Sequence, residues 1–98
     1  MNTEIQPETI EITEEKVKEA FEKRWNVIAW NDPVNLMSYV VFVFMKVLAF
    51  TQEQATKHMR EVHHKGKSVV ATETRERAEV YYQQIQAHGL SVTLEQQT

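Results

Sequence analysis

The segment from Trp25 to Met37, WNVIAWNDPVNLM, leaves the chain little choice of local structure. An apolar run from Trp25 to Trp30 meets Asn31-Asp32-Pro33, and a second apolar run opens at Leu36. The first run alternates and is bounded by polar residues and a proline, the pattern of a β-strand. Asn31, Asp32 and Pro33 favour a turn for separate reasons: the two polar side chains bond back to the main chain, and the proline ring fixes φ. Asn35 is placed to cap the helix that follows. A neutral amide and a carboxylate are therefore held side by side on a strand-to-helix junction. Such a pair can bind a cation or a donor-rich ligand, or be no more than a polar turn.

The chain has 98 residues, which suffices for one domain around this junction. Cysteine is absent. That removes disulfides, thiolate zinc sites and cysteine nucleophiles together, and is compatible with a reducing compartment. The net charge of −3 is unevenly placed. Residues 1–24 carry seven acids and four bases, whereas residues 25–98 carry seven of each. The body thus has no basic surplus to neutralise phosphates, and nucleic acid is not expected as a partner. Leu36 to Phe50 is the most apolar stretch, but it is too short to span a bilayer and Lys46 interrupts it, so no membrane association is expected. The acidic N-terminus lacks a basic region ahead of an apolar core, so no signal peptide is expected.

Residues 1–12 read as a flexible acidic tail. Thr13 to Arg24 reads either as more of that tail or as a helix capped by Thr13, with Glu14 and Glu15 at its positive end and Val17, Ala20 and Phe21 on one face. Leu36 to Ala49 has a β-prone centre, VVFVF. Its length and the i, i+4, i+7, i+8, i+11 spacing of Leu36, Val40, Val43, Phe44 and Val47 favour a largely buried helix. Thr51 and Gln54 form a capping-box signature for a second helix, which buries Ala55, Met59 and Val62 and stops at Gly66. Ser68 to Glu73 is a strand. Thr74 caps a third helix with Glu76 in its first turn; Ala78, Tyr81, Tyr82 and Ile85 form its apolar face and Gly89 ends it. Leu90, Val92 and Leu94 alternate with polar residues in a last strand. The order β-α-α-β-α-β predicts an α/β (α+β) sandwich, a three-stranded antiparallel sheet packed by three helices.

Three features can carry chemistry: Asn31-Asp32, His63 with its neighbours His64 and His58, and the flanking set Met37, Val40, Met59 and Val62. His58 and His63 are five apart and His63 and His64 adjacent; neither spacing shares an ion on a helix, so no metal site is expected. No serine stands in a nucleophile elbow, and the only glycines, Gly66 and Gly89, read as helix stops rather than a phosphate loop. His63 is either a ligand-facing group or a cation suited to the end of its helix. The methionines and valines are either core or the wall of an adaptable apolar pocket.

Several of these residues together resemble the bacterial ClpS adaptor family. The resemblance rests on Asn31-Asp32, Asn35-Leu36-Met37, Ala55-Thr56 through Met59, Val62-His63, Gly66-Lys67, His88-Gly89-Leu90 and Thr93-Leu94-Glu95, in order and at near-family spacing. It covers about residues 25–96 and is similar in form to the actinobacterial branch. It implies a core domain over residues 23–98, similar to the C-terminal domain of the ribosomal stalk protein, behind a flexible acidic extension over residues 1–22 that engages the unfoldase pore.

The function it implies is that of a cytoplasmic adaptor without catalysis or cofactor. Such an adaptor binds substrates beginning with Leu, Phe, Tyr or Trp (N-degrons) and delivers them to a ClpA- or ClpC-type AAA+ unfoldase with its ClpP peptidase. By position, Asn31, Asp32 and His63 would hold the substrate's α-amino group. Met37, Val40, Met59, Val62 and Leu90 would line the pocket for its first side chain, and Glu76 would contact the unfoldase. Two departures stand out: Pro33 and Val34 replace a third acid and an aromatic residue, and Tyr81 stands at a lysine position. Two other readings remain: a regulator that docks on the unfoldase without reading N-termini, and a small acid–base enzyme using Asp32 and His63.

Overall fold

The computed structural model describes residues 12–97. Most of the expected acidic tail therefore lies outside the described residues. The elements are α1 (Glu14–Glu22), β1 (Trp25–Trp30), α2 (Met37–Leu48), α3 (Gln52–Lys65), β2 (Lys67–Glu73), α4 (Arg75–Ala87) and β3 (Val92–Gln96). After α1 the order is β-α-α-β-α-β, as the sequence pattern predicts. Of the two readings of residues 13–24, the helix is the one that forms. Thr13 caps it, its Oγ1 accepting the Lys16 N–H at 3.0 Å, and Glu14 and Glu15 lie in its first turn.

The three strands form one antiparallel sheet in the order β2-β1-β3. Trp25 lies opposite Glu73 on one side and Gln96 on the other. The β1–β2 register slips between Val27 and Ile28, which pair with Ala71 and Val69. The extra residue, Val70, forms a bulge, so Val70 and Ala71 both reach the core. Val27 and Ala29 point into that core as alternation requires. Ile28 between them is also buried, on the other face, so β1 is covered on both sides at its centre.

Helix α4 packs on all three strands, α3 packs on β2, and α2 lies against α3 and α4. Phe44, Ile85, Val27 and Val43 are the largest side chains with no contact with solvent. The expectation of a largely buried α2 needs correcting: only Val43 and Phe44 are fully buried. Its neighbours cover one side, leaving Phe42 51% exposed and Met45 38% exposed on the other. There the Phe42 ring stacks on Tyr39 at 6.2 Å and lies 5.7 Å from the Lys46 ammonium.

The turn chemistry holds at most ends and fails at one. Thr51 and Gln54 form the reciprocal capping box, and Gly66 ends α3 at φ 90° while donating its N–H to the Val62 carbonyl. Thr74 caps α4, and Gly89 follows it at φ 88°. Asn35 does not cap α2: the N-cap is Leu36, in extended conformation and without a side-chain bond. Asp32 has already taken the amides of this turn, and the Asn35 amide donates instead to the Gly89 carbonyl at 3.1 Å. At the other end of α2, Ala49 is left-handed at φ 58°, a conformation in which its Cβ crowds the backbone at a cost of about 1 kcal/mol.

One polar group is buried among the described residues, Ser68 on β2. Its hydroxyl donates to Glu61 Oε1 and lies 2.8 Å from His58 Nδ1. A hydroxyl has one proton to give, so the imidazole is the donor in the second bond. The His58 ring also stacks on Phe50 at 4.9 Å. This places α3 on β2, and it is the reverse of a nucleophile–base pair, because the serine proton faces a carboxylate.

Burial pushes the His58 imidazole below its ordinary value, against a smaller opposing pull from Glu61. The Ser68 hydrogen bond holds the Glu61 carboxyl below the usual range. Both shifts mean that the unfolded chain binds protons more readily than the folded one, so stability rises with pH. For His58 the window opens at about 6.5 and extends downward; for Glu61 it begins near the ordinary carboxylate value. The thermal midpoint of the wild type is expected to fall between pH 7 and pH 5. That of His58→Gln is expected to fall less over the same interval, as measured by calorimetry in a pH series.

Candidate functional site

The end of β1 is fastened to two distant loops. The Trp30 N–H donates to the Ser91 carbonyl and the Asn31 N–H to the Gly66 carbonyl, both at 2.9 Å. The first bond brings the loop after α4 to the junction, and the second brings the C-terminal end of α3. Further bonds hold the α4 loop against α2. The Tyr39 hydroxyl donates to the His88 carbonyl at 2.6 Å, and Asn35 donates to that of Gly89.

A cavity of about 370 Å³ opens where these elements meet. This is within the range of roughly 300–1,000 Å³ typical of small-ligand sites. Asn31, Asp32, His63, Met37, Val40, Met59, Val62 and Leu90 all line it. The structure thus brings together the three polar and five apolar residues singled out in the sequence. Ala29, Trp30, Pro33, Asn35, Leu36 and Phe44 complete the lining. Met37 is the first residue of α2, and His63 lies in the last turn of α3, one residue after the buried Val62. Asn31 and His63 are exposed and Asp32 half-buried, whereas Val62 and Leu90 are buried, Val40 and Met59 half-buried, and Met37 49% exposed.

Asp32 is oriented by its own turn and by a distant residue. Its Oδ1 accepts the Val34 N–H at 3.0 Å, and its Oδ2 accepts the Ser91 hydroxyl at 3.0 Å. A carboxylate has about four acceptor positions, so each oxygen keeps one for a ligand. Asn31 adds an amide and His63 an imidazole, which accepts a proton donor when neutral. These groups can receive a compact cation with several N–H donors, while the wall takes an apolar side chain attached to it. No group of three or more potential metal ligands occurs among the described residues, and none of their helices is long and apolar enough to cross a membrane.

Glu76 is not part of this site. It is exposed in the first turn of α4, whereas the cavity lies beyond that helix's last turn, roughly 17 Å along the helix at 1.5 Å per residue. Nearby, the Arg77 guanidinium donates to the Tyr81 hydroxyl at 3.2 Å and lies over its ring, and it pairs with Glu73 at 3.3 Å.

Ser91 is the residue that sequence reasoning passed over. The apolar–polar alternation of residues 90–94 sets it apart from Leu90 and Val92, but only the fold reveals that its hydroxyl meets Asp32. Asn35, expected to cap α2, donates instead to the Gly89 carbonyl across the fold.

Comparison with known proteins agrees with this architecture. The family model described as "ATP-dependent Clp protease adaptor protein ClpS" matches residues 20–93. A Clp protease adapter protein ClpS of Mycobacterium tuberculosis is 45% identical over 75 residues, covering 76% of this chain and 74% of its own. Its counterpart in Streptomyces avermitilis is 49% identical over 72 residues, covering 74% and 69%. That of Nocardia farcinica is 38% identical over 89 residues, covering 91% and 82%. The fold is similar to that of Agrobacterium tumefaciens ClpS2, solved bound to L-phenylalaninamide, with a TM-score of 0.75, 23% identity, and coverage of 78% of this chain and 99% of that one. A three-stranded sheet whose central strand leads into Asn31-Asp32, a matching family model over three quarters of the chain and several relatives of one kind lead to one assignment: this chain belongs to the ClpS family of ATP-dependent Clp protease adaptors.

Proposed function

We propose that this adaptor binds the free N-terminal residue of substrates that begin with Leu, Phe, Tyr or Trp and delivers them to a ClpA- or ClpC-type unfoldase and its ClpP peptidase in the cytoplasm. The observation that carries this reading is the placing of Asp32, Asn31 and His63 in the lining of one largely apolar cavity. An α-amino group is a cation with three donors and a pKa near about 7.7–8.0, and it lies one bond from the Cα that bears the first side chain. A carboxylate beside an amide and an imidazole can receive it with charge-assisted bonds. The phenylalaninamide bound by the Agrobacterium relative has the same combination, a free amine next to an apolar ring.

The energetics divide between the two halves of the site. Burying a Leu or Phe side chain contributes about 1.5–3 kcal/mol. Hydrogen bonds to a charged partner contribute about 1.5–3 kcal/mol. Neither alone overcomes the cost of association, so both an amine and an apolar side chain are required. Acetylation removes the charge and strands the acceptors, at roughly 1–3 kcal/mol each.

A pure regulator of the unfoldase needs neither the cavity nor the polar lip. The surface around Glu76 is nonetheless suited to docking. Tyr81, where the family resemblance implies a lysine, holds the Arg77 guanidinium over its ring, and that guanidinium also pairs with Glu73.

Three outcomes test the proposal. In fluorescence anisotropy, peptides beginning with Leu or Phe are expected to bind, and acetylated or Ile-initiated versions are not; Asp32→Ala is expected to weaken the Leu peptide by about 10- to 150-fold. Absence of binding to any free N-terminus sinks the reading. Met37, at the cavity mouth, is assigned the exclusion of side chains branched at Cβ, so Met37→Ala is expected to admit Ile and Val, and continued rejection of Ile would remove it from that role. Deleting residues 1–20 is expected to leave peptide affinity unchanged while slowing degradation of a Leu-initiated substrate in a reconstituted unfoldase–peptidase assay.

A further inference from the structure

We infer that Ser91 is a positioning residue for the amine site, setting the orientation in which Asp32 meets a substrate's α-amino group; this rests on the N-terminal reading proposed above. The torsion that turns a carboxylate about its Cβ–Cγ bond has broad, shallow preferences. A single donor on one oxygen leaves that rotation open. In this protein a second donor closes it: the Val34 N–H holds Oδ1 and the Ser91 hydroxyl holds Oδ2, both at 3.0 Å. The two donors come from distant parts of the sequence, since Ser91 lies 59 residues beyond Asp32.

The main chain of Ser91 is itself fixed, because its carbonyl accepts the Trp30 N–H at 2.9 Å, one residue before Asn31. Its hydroxyl is thereby placed independently of the turn it acts on. The residue before it, Leu90, is a wall of the cavity. The dipeptide Leu90-Ser91 thus divides its work: the leucine shapes the space for the first side chain, and the serine orients the group that receives the amine. The two roles are separable, because the Ser91 side chain is exposed and does not line the cavity.

The test measures the affinity of Leu- and Phe-initiated peptides for the full chain and three variants. Ser91→Ala is expected to weaken both peptides by the same factor, roughly 3- to 10-fold, since both present the same amine. Their affinity ratio is expected to stay at the wild-type value. Ser91→Thr, which keeps the hydroxyl, is expected to restore binding. Asn35→Ala is the contrast. It releases the Gly89 carbonyl next to Leu90, and is expected to change the Leu-to-Phe ratio. Wild-type affinity in Ser91→Ala would overturn the inference while leaving the N-terminal reading intact. So would a loss that falls unequally on the two peptides, because that locates the effect in the cavity wall. Failure of the wild type to bind either peptide would overturn the parent reading, and the inference with it.

Discussion

Strand β1 leaves the sheet with the amides of its last residue and the next one already bonded, Trp30 to the Ser91 carbonyl and Asn31 to that of Gly66. A strand end is ordinarily free to fray. Here the polar turn that follows cannot move relative to α3 or to the loop after α4, because both are tied to the backbone immediately before it. Every other property of the site depends on this clamp. It sets His63, one turn before Gly66, beside Asn31, and it carries Leu90 to the mouth of α2.

The clamp also explains why a small domain can keep an apolar cavity open. The cavity lies at the ends of elements rather than in the middle of the core, between the start of α2, the end of α3 and the loop after α4. Its inner wall is the outer layer of the same cluster that contains Phe44, Val62 and Leu90. Collapse onto the empty space would require those helix ends to shift. The capping box of α3, the bonds of Tyr39 and Asn35 to the α4 loop, and the Ser68 closure of α3 on β2 resist that shift.

Most of this was legible in the chain because the relevant signals are local. The strand-to-turn junction, the capping box at Thr51, the left-handed stop at Gly66 and the alternation after Leu90 are each decided by a few neighbouring residues. The α2 pattern was legible in kind but not in degree, since the number of partners a helix has cannot be read from its own periodicity. The partners of Asn35 and Ser91 were beyond reach for another reason. A side chain that bonds across the fold leaves no trace in spacing, and the local turn offered Asn35 a plausible substitute. The bulge at Val70 belongs to the same class, being a property of the pairing of two strands rather than of either one.

The sheet order β2-β1-β3 has a consequence in time. The central strand is made first, and both of its partners come much later, after one pair of helices and then a third. None of the sheet's pairings is between consecutive hairpin strands, so the chain must close long loops before any strand is satisfied. During synthesis Asn31, Asp32 and His63 leave the ribosome well before Leu90 and Ser91. A partly made chain therefore carries the polar groups and most of the apolar wall, and lacks Leu90 and Ser91. Completion of the sheet and completion of the site thus depend on the same late segment, Leu90 to Gln96.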